Sequence, residues 1–539
     1  MSNRKAIKVN TDVRTRYLLA AAILVLLIFI LAFLSVDNSC YWGDDYAAYL
    51  SQGIAMAEGR LEEQAKLNIK MHPSPLFSEA LEDGELTYVW GYPLILSLIY
   101  RIVGFDRVNY SSIIYYKLPS VFALALLAAV LFCFYRRRFG AKLSFVLALL
   151  FCGCAEMFDF LNSLYSDMVF LFLAMLSLLL CEIYLERKGS LIGFLLGICL
   201  WFMYEVRLNG ISILLCCILA TIFYLLENRK QIKIAHFAKI LMPYILFLLL
   251  LLFSDFLIGS ATPNTSDIGS GMDAEAFLSN LKSYARLICH WFGLLWNSIL
   301  INPLYSVLRR FTALSFDSFT PLRNILVSAT AVLFILGLIF EGKGKNFHLS
   351  VLVVVYIITA SALPYTQGLR YIYPLLPLIL MFVGCTFAKA ARLFKKLPHR
   401  IYSAGSLILA LLCCLFIVYP HMSAAYTGDK GVNVLEEISS ASDIYMQNAY
   451  SQDAVELYRY IQENTETDCT IAFFAPRALY LNTQRVAVRP GVNGHSIDEA
   501  DYYLQYLSVG DYPVDTPPDG GFTRCFENNE FVLYVKDRK

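Results

Sequence analysis

Eleven long apolar runs, separated by short basic clusters, constrain the fold of this 539-residue chain more than any other sequence feature. A helix needs roughly 20 apolar residues to cross the hydrocarbon core of a bilayer. Hydrophobic residues make up 58% of the chain and charged residues 16%, which is too apolar for a soluble multidomain protein. The sequence therefore predicts an α-helical polytopic membrane protein. The predicted spans lie at 17–36, 111–135, 141–158, 166–185, 190–205, 209–226, 237–258, 322–340, 347–363, 371–388 and 402–420.

Basic residues predict the orientation of these spans, because Lys and Arg accumulate in cytoplasmic loops. With the N-terminus in the cytoplasm, every basic cluster between the spans lies on the cytoplasmic side, whereas the connections at 159–165 and 362–369 contain no Lys or Arg. The clusters are Arg136-Arg137-Arg138, Arg187-Lys188, Arg229-Lys230-Lys233, Lys343-Lys345 and Arg392-Lys395-Lys396-Arg400. A balanced net charge of +1 gives no indication of nucleic-acid binding. We expect a plasma-membrane protein, of bacterial type, with its C-terminal tail outside the cell.

Two domains are predicted: a membrane domain at 1–420, with long outer loops at 37–110 and 259–321, and an outer domain at 421–539. Apolar stretches at 88–103 and 277–300 are interpreted as helices lying in the membrane interface. The number of spans rises to 13 if both of them cross.

The tail pattern predicts a small α/β domain. Its expected elements are a helix through Ala454, Leu457, Tyr458 and Ile461, a Tyr-rich helix near 499–508, and strands at 470–474, 486–488 and 531–535. Residues 426–442 form the candidate hinge. Of the 14 cysteines, ten lie in apolar runs and none has zinc-type spacing, while Cys469 and Cys525 could pair in the tail.

An acidic pair, Asp44 and Asp45, follows the first predicted span in an aromatic setting. Two hypotheses give it a function: one carboxylate acts as general base toward an acceptor hydroxyl, or the pair holds a divalent cation. The structural alternative is that both residues cap the next helix.

A third acidic residue, Asp167, begins the fourth span on the same membrane face and can reach a shared site. It could equally be an N-cap. Glu156 and Asp159, at the end of the third span, could supply the same charge.

Two arginines, Arg207 and Arg370, depart from the rule that basic residues lie inside. A guanidinium at the outer interface suits a phosphate or pyrophosphate, whose oxygens it binds bidentately. Snorkelling, or a pair with Glu205, is the structural alternative.

Several of these phrases together resemble the GT-C superfamily of integral-membrane glycosyltransferases. The nearer branch contains the protein O-mannosyltransferases and the bacterial aminoarabinose transferase of lipid A. In the first outer loop, the motifs that resemble this branch are Asp44-Asp45, Ala57-Glu-Gly59, Trp90-Gly-Tyr-Pro93 and Arg101-Ile-Val-Gly104. Later in the chain, the motifs that resemble it are Ser166-Asp167, Arg370-Tyr371-x-x-Pro374, Tyr460-Ile-Gln-Glu-Asn-Thr and Ala475-Pro-Arg. The branch usually has Asp-Glu where this chain has Asp-Asp, which leaves open which carboxylate is the base.

The resemblance implies a GT-C fold and an inverting transfer of sugar from a polyprenyl-phosphate donor to an extracytoplasmic lipid, glycan or protein. Asp44 or Asp45 would be the base, with Asp167 as a further catalytic residue. The donor phosphate would meet Arg207, Arg370 and Tyr371, or a basic residue of the loop at 282–286. We expect Tyr88 and Tyr92 to line the substrate site. Metal dependence differs among relatives, so Mg or Mn held by Asp44, Asp45 and Asp167 is an open alternative.

A transporter or flippase of a lipid-linked sugar is the main rival hypothesis. Transporters place polar residues near the bilayer midplane, often in repeated halves. This chain has no such halves, and its candidate charges cluster at one face. A catalytically silent binding subunit is a third hypothesis, against which the intact acidic pair argues.

Overall fold

The computed structural model describes residues 11–42, 44–71, 88–229, 234–258, 274–308, 315–342, 344, 346–362, 368–393, 448–489, 500–507 and 521–537. Within these ranges the N-terminal part is helical. Its α-helices are α1 (Thr11–Ser35), α2 (Asp44–Glu58), α3 (Leu61–Met71), α4 (Gly91–Val103), α5 (Ile113–Arg136), α6 (Ala141–Cys152), α7 (Ala155–Asn162), α8 (Asp167–Arg187), α9 (Ser190–Val206), α10 (Gly210–Glu227), α11 (Ile234–Ile258), α12 (Ala274–Trp296), α13 (Asn302–Leu308), α14 (Thr320–Glu341), α15 (Phe347–Ser361) and α16 (Leu376–Leu393).

The described helices confirm the predicted polytopic class. Seven of them, α1, α5, α8, α10, α11, α14 and α16 with the short turns that extend them, have the length and composition to cross a membrane. Helices α4, α6, α9 and α15 are apolar but shorter. At 13 residues, or about 20 Å, α4 is too short to span the roughly 30 Å hydrocarbon core. The predicted span at 402–420 lies outside the described residues.

One prediction about the helices was wrong. The run at 141–158 is not one helix, because the chain leaves α6 at Gly153, passes through an extended Cys154 and starts again in α7. Residues 282–286 belong to α12, which agrees with the helix predicted over 277–300, and Lys282 and Arg286 are exposed on it.

Helix packing brings α4 against the C-terminal end of α9. Helix α4 also packs on α2. At Gly91, the first residue of α4, an added Cβ would lie 2.5 Å from the carbonyl oxygen of Glu205. Only glycine allows this approach, which places α2 and α4 beside the turn that contains Arg207.

The tail forms the predicted α/β unit around a five-stranded sheet. It contains α17 (Gln452–Asn464), α18 (Pro476–Thr483), β1 (Thr470–Ala472), β2 (Val486–Val488), β3 (Tyr502–Tyr506), β4 (Phe522–Glu527) and β5 (Phe531–Lys536). The strand order is β2-β1-β3-β5-β4. Strand β1 pairs in parallel with β2 and β3, whereas β5 pairs antiparallel with β3 and β4.

Two tail predictions are corrected by this sheet. The Tyr-rich stretch near 499–508 is the central strand β3 instead of a helix, and its Tyr502, Tyr503 and Leu504 are all buried. Aromatic residues favour strands when neighbouring strands cover them. Cys469 and Cys525 do not pair; both are free thiols.

Candidate functional site

Asp45 lies in the first turn of α2 and is held from two sides. Its Oδ1 accepts a hydrogen bond of 2.6 Å from the Tyr88 hydroxyl, and its Oδ2 accepts one of 2.7 Å from Nη1 of Arg370. The side chain is 35% exposed. Each oxygen of its carboxylate therefore accepts a hydrogen bond from a side chain outside α2. Asp44 begins α2, but its side chain lies outside the described residues.

Asp167 is the second carboxylate and is 3% exposed. Its Oδ2 accepts a 2.7 Å hydrogen bond from Nε of Arg370, and its Oδ1 pairs with Nη1 of Arg207. Arg370 therefore bridges Asp45 and Asp167. Arg207 does not pair with Glu205, whose carboxylate accepts a hydrogen bond from Ser254 instead. The side chains of Glu156 and Asp159 lie outside the described residues.

Both arginines lie where the helical backbone is interrupted. Arg207 follows α9 in an extended conformation (φ −158°, ψ 129°) before α10 begins at Gly210. Arg370 is in a 3₁₀ helix, Leu369–Leu375, which follows Gly368 at φ +70°. This left-handed conformation favours glycine and turns the chain into the helix. These interruptions hold the guanidinium groups at the ends of the spans.

Tyrosine rings surround the ion pairs. The Arg370 guanidinium lies 4.1 Å from the Tyr165 ring centre, and that of Arg207 lies 5.2 Å from the Tyr371 ring centre. The rings of Tyr49 and Tyr88 are 4.3 Å apart. The face of an aromatic ring attracts a cation electrostatically. The site is therefore a row of alternating positive and negative charges, Arg207, Asp167, Arg370 and Asp45, with tyrosine rings packed around it.

Tyr92 packs behind these tyrosine rings. It is fully buried and packs edge-on against Tyr49, with ring centres 5.2 Å apart. Tyr49 in turn shares a 3.1 Å hydrogen bond with Ser166, directly before Asp167. Tyr49 and Tyr165 were not among the predicted site residues. The sequence could have indicated them through their positions, because Tyr49 lies one helical turn after Asp45 and Tyr165 lies two residues before Asp167.

The pKa of Asp45 reflects the balance between burial and its partners. Burial raises this pKa, but the Arg370 charge and the hydrogen bonds from Tyr88 and Arg370 outweigh it and lower the pKa to about 2. Burial and the nearby Asp45 charge raise the pKa of Tyr88 well above its usual value. At neutral pH Asp45 is thus an ionised acceptor and Tyr88 a protonated donor.

Ion pairing also closes the cleft around the buried end of the row. Asp167, Arg207, Arg370 and Tyr371 line it together with Phe170, Asn209, Tyr356, Tyr373 and Pro374. The cleft has no space large enough for a water molecule. A ligand that enters must therefore replace a protein contact of the arginines.

Two anchors fix the segment between α1 and α2, which leads to Asp45. Lys117 on α5 is fully buried and donates hydrogen bonds to the carbonyl of Asp37 (2.9 Å), to Oδ1 of Asn162 (3.1 Å) and to the carbonyl of Ser39. The second anchor is Trp42. A buried lysine needs such acceptors, because an unpaired buried charge is costly.

Trp42 is buried within the tail domain, although it lies only two residues before α2. Its ring centre is 5.4 Å from that of Phe473, 5.8 Å from Phe531 and 6.1 Å from Tyr458. The backbone of Cys40 also bonds to the tail, through Asn448 Oδ1 and Ala449 N. The tail is therefore part of the scaffold that positions Asp45.

The described side chains do not fit the divalent cation considered from the sequence. The Arg370 guanidinium lies between Asp45 and Asp167, where a cation bridging them would bind. No group of three acidic, His or Cys side chains is close enough to ligate a metal within the described ranges. Arg370 itself supplies the positive charge between the carboxylates.

Solved structures match this chain over nearly its whole length. ArnT from Cupriavidus metallidurans, bound to undecaprenyl phosphate, matches with a TM-score of 0.51 at 11% identity over 95% of this chain and 97% of that chain. The archaeal oligosaccharyltransferase AglB from Archaeoglobus fulgidus, in complex with an inhibitory peptide and a dolichol-phosphate, matches with a TM-score of 0.52 at 11% identity over 92% of this chain and 69% of that chain. The chain has the GT-C fold.

Sequence comparison adds a match to one part of the chain. Residues 318–462, about a quarter of the chain, match the Alg9-like mannosyltransferase family. The matched segment includes Arg370 and Tyr371. No curated protein matches the chain by sequence.

Proposed function

We propose that this GT-C protein is an inverting glycosyltransferase that moves a sugar from a polyprenyl-phosphate donor to an extracytoplasmic acceptor. The observation that carries the proposal is the row Arg207–Asp167–Arg370–Asp45, two carboxylates and two guanidinium groups at helix ends. The similarity to ArnT, whose structure holds undecaprenyl phosphate, supports the choice of donor.

The donor phosphate binds Arg207 and Arg370 in this proposal. Both guanidinium groups are already positioned by Asp167, and their planar forks match phosphate oxygens. Entry of the phosphate exchanges the Arg370–Asp45 contact for an Arg370–phosphate contact, because the cleft beside the two arginines has no room even for a water molecule. The lipid tail lies between the spans.

Asp45 then becomes the base. While it is paired with Arg370, its low pKa makes it a weak proton acceptor. Loss of that pair to the donor phosphate raises its pKa, so donor binding activates the base. The acceptor hydroxyl attacks the anomeric carbon, its proton passes to Asp45, and the bond from that carbon to the phosphate oxygen breaks. Polyprenyl phosphate leaves, and the anomeric configuration inverts.

The test is release of polyprenyl phosphate by the full chain in nanodiscs. A panel of polyprenyl-phosphate sugars is supplied with crude membrane extract as the source of acceptor. We expect release with one donor, and a loss of about 10²–10⁴-fold in Asp45→Asn, the range for a positioned base. Glu62→Gln, a change on α3 at a side chain 76% exposed, is the matched control and keeps wild-type turnover.

Two results would contradict the proposal in different ways. Full turnover in Asp45→Asn removes Asp45 as base and moves the role to Asp44, tested by Asp44→Asn. Movement of labelled donor across a vesicle membrane, with no release from any donor, supports the flippase hypothesis instead.

A further inference from the structure

A large cavity lies at the end of the membrane domain opposite the candidate site. Its volume is about 1130 Å³, and residues of α1, α5, α8, α10, α14, α15 and α16 form its walls. Asp167 begins α8, whereas Glu182, which lines the cavity, lies 15 residues or roughly 22 Å further along that helix. The positive-inside rule predicts that this end of the domain is cytoplasmic.

The charged residues of the wall are balanced in number but not completely paired. Among the described residues, four basic and four acidic side chains line the cavity. Three of each sign form ion pairs with one another: Arg137 with Glu182 and Glu186, Arg138 with Glu182, and Lys389 with Glu341. The remaining two are Arg136 and Glu227, and neither forms an ion pair within the described part of the chain. One guanidinium and one carboxylate are therefore left for a ligand.

Arg136 is held in place without using its hydrogen-bond donors. It is the last residue of α5, and its guanidinium lies 3.4 Å from the ring centre of Tyr17 on α1. Its Nη1 has no hydrogen-bond partner among the described residues. The donors of a guanidinium lie in the plane of the group, so stacking on a ring face leaves them unused. A phosphate, whose oxygens match this planar fork, is the ligand group that Arg136 fits best.

Apolar side chains form another part of the wall and extend toward lipid. Leu18 on α1 and Phe223 on α10 line the cavity and are 67% and 38% exposed. Both helices have the length and composition to cross a membrane, where exposed apolar side chains face lipid chains. The cavity therefore adjoins the hydrocarbon of the bilayer as well as the charged helix ends. A molecule with a charged head group and apolar chains fits both parts.

We propose that this cavity binds a phospholipid whose head group carries one phosphate and one ammonium group. The phosphate binds Arg136, and the ammonium supplies the positive charge that Glu227 lacks. Pockets between membrane helices at the cytoplasmic side are known places for lipid head groups. An anionic head group would leave Glu227 unpaired and make the wall negative overall. The inference does not depend on the proposed glycosyl transfer, because the described residues of the donor cleft and of this cavity do not overlap.

The experiment is native mass spectrometry of the delipidated full chain in detergent, titrated with single lipids. The probes are phosphatidylethanolamine, phosphatidylglycerol (a phosphate without an ammonium), diacylglycerol (neither charge) and free phosphoethanolamine (no chains). The variants are Arg136→Gln, Arg136→Lys, Glu227→Gln and Ala21→Trp, which fills the cavity from α1 without changing a charge. Arg187→Gln is the matched control, since Arg187 ends α8 and is exposed but is not among the residues that line the cavity.

We expect wild type to bind one phosphatidylethanolamine saturably, and more tightly than the other three probes. Arg136→Gln should weaken this binding about 10- to 100-fold, the range for a hydrogen bond to a charged group, and Arg136→Lys should recover part of it. Glu227→Gln should reduce the preference for phosphatidylethanolamine over phosphatidylglycerol. The unfolding midpoint of delipidated Arg136→Gln should equal that of wild type, whereas the rise that the lipid causes should be lost. Arg187→Gln should match wild type throughout.

Four results would overturn the inference. Binding of phosphatidylethanolamine that is unchanged in Ala21→Trp places the lipid elsewhere. Unchanged binding in Arg136→Gln removes the phosphate contact. Tighter binding of phosphatidylglycerol by wild type excludes the paired charges, and equal binding of diacylglycerol means that only the chains are recognised. If Arg136→Gln does not fold, Arg136→Lys and Ala21→Trp decide, and wild-type affinity in both rejects the site.

Discussion

Arg370 determines the properties of the residues around it because one guanidinium serves two carboxylates. Its Nε bonds to Asp167 and its Nη1 to Asp45, each at 2.7 Å. Asp167 is buried and also pairs with Arg207, whereas Asp45 is one-third exposed and, among the described residues, has Tyr88 as its other hydrogen-bond partner. The contact to Asp45 is therefore the one that a ligand exchanges most readily.

The pH dependence of kcat/KM tests this pairing, because kcat/KM reports the pKa values of the free enzyme. With Arg370 in place, the pKa of Asp45 is about 2, so Asp45 stays ionised down to about pH 3 and causes no loss of activity above it. In Arg370→Gln the charge is gone while burial remains. The residual kcat/KM should then begin to fall at a higher pH, about pH 4 or above, which is the ordinary range of an aspartate.

The same pairing has a consequence for stability. A carboxyl whose pKa is lowered by folding stabilises the fold above its unfolded pKa of about 3.9, and this contribution disappears as the pH falls toward 2.

For the pH dependence of kcat/KM, Glu62→Gln is the control and should keep the acid limb of the wild type. Identical acid limbs in wild type and Arg370→Gln would show that Arg370 does not set the pKa of Asp45.

The sequence singled out four charged residues as candidates, but it did not predict how they pair. Asp45, Asp167, Arg207 and Arg370 were chosen because charge at the outer membrane face is unusual, and the structure brings all four together. Their pairing could not be predicted, since it joins residues 203 and 325 positions apart through helix packing.

At the scale of secondary structure, hydrophobic runs predicted helices reliably where lipid forces the backbone to satisfy its own hydrogen bonds. The prediction was weaker in the tail. The residues of β3 suit a helix or a strand, and β3 is a strand because β1 and β5 flank it. Helix α6 ends early for a local reason, the Gly153 break, which apolar length alone does not indicate.

The segment from Cys40 to Trp42 couples two elements, since Trp42 lies in the aromatic core of the tail while α2 carries Asp45. In Trp42→Ala the loss of a fully buried indole should reduce the free energy of unfolding by about 3–5 kcal/mol. Turnover should fall as well, because α2 loses its anchor. Thermal unfolding in detergent, followed with the release assay, measures both.

A matched control for this change is Tyr115→Ala, which removes an aromatic ring 47% exposed on α5 and should leave unfolding nearly unchanged. Trp42→Phe should keep most of the stability. An unfolding midpoint of Trp42→Ala equal to that of wild type would mean that the tail does not hold α2.

At the scale of the whole molecule, α8 connects the two faces of the membrane domain. Its 21 residues span about 30 Å, the thickness of the hydrocarbon core. Asp167 is at its first residue, whereas Glu182, near its last turn, pairs with Arg137 and Arg138. The candidate site and the basic cluster therefore lie at opposite ends of one helix, and the positive-inside rule predicts that the site lies outside.

Labelling with a membrane-impermeant maleimide tests this orientation in intact cells. Lys66→Cys on α3 and Arg524→Cys in the tail change side chains 67% and 60% exposed, and both should be labelled from outside. Glu186→Cys, at a position 61% exposed near the other end of α8, should be labelled only after permeabilisation. Peptide mass spectrometry identifies the labelled cysteine. Labelling of Glu186→Cys alone in intact cells would invert the topology and place Asp45 and Arg370 on the cytoplasmic side, where an extracytoplasmic acceptor cannot reach them.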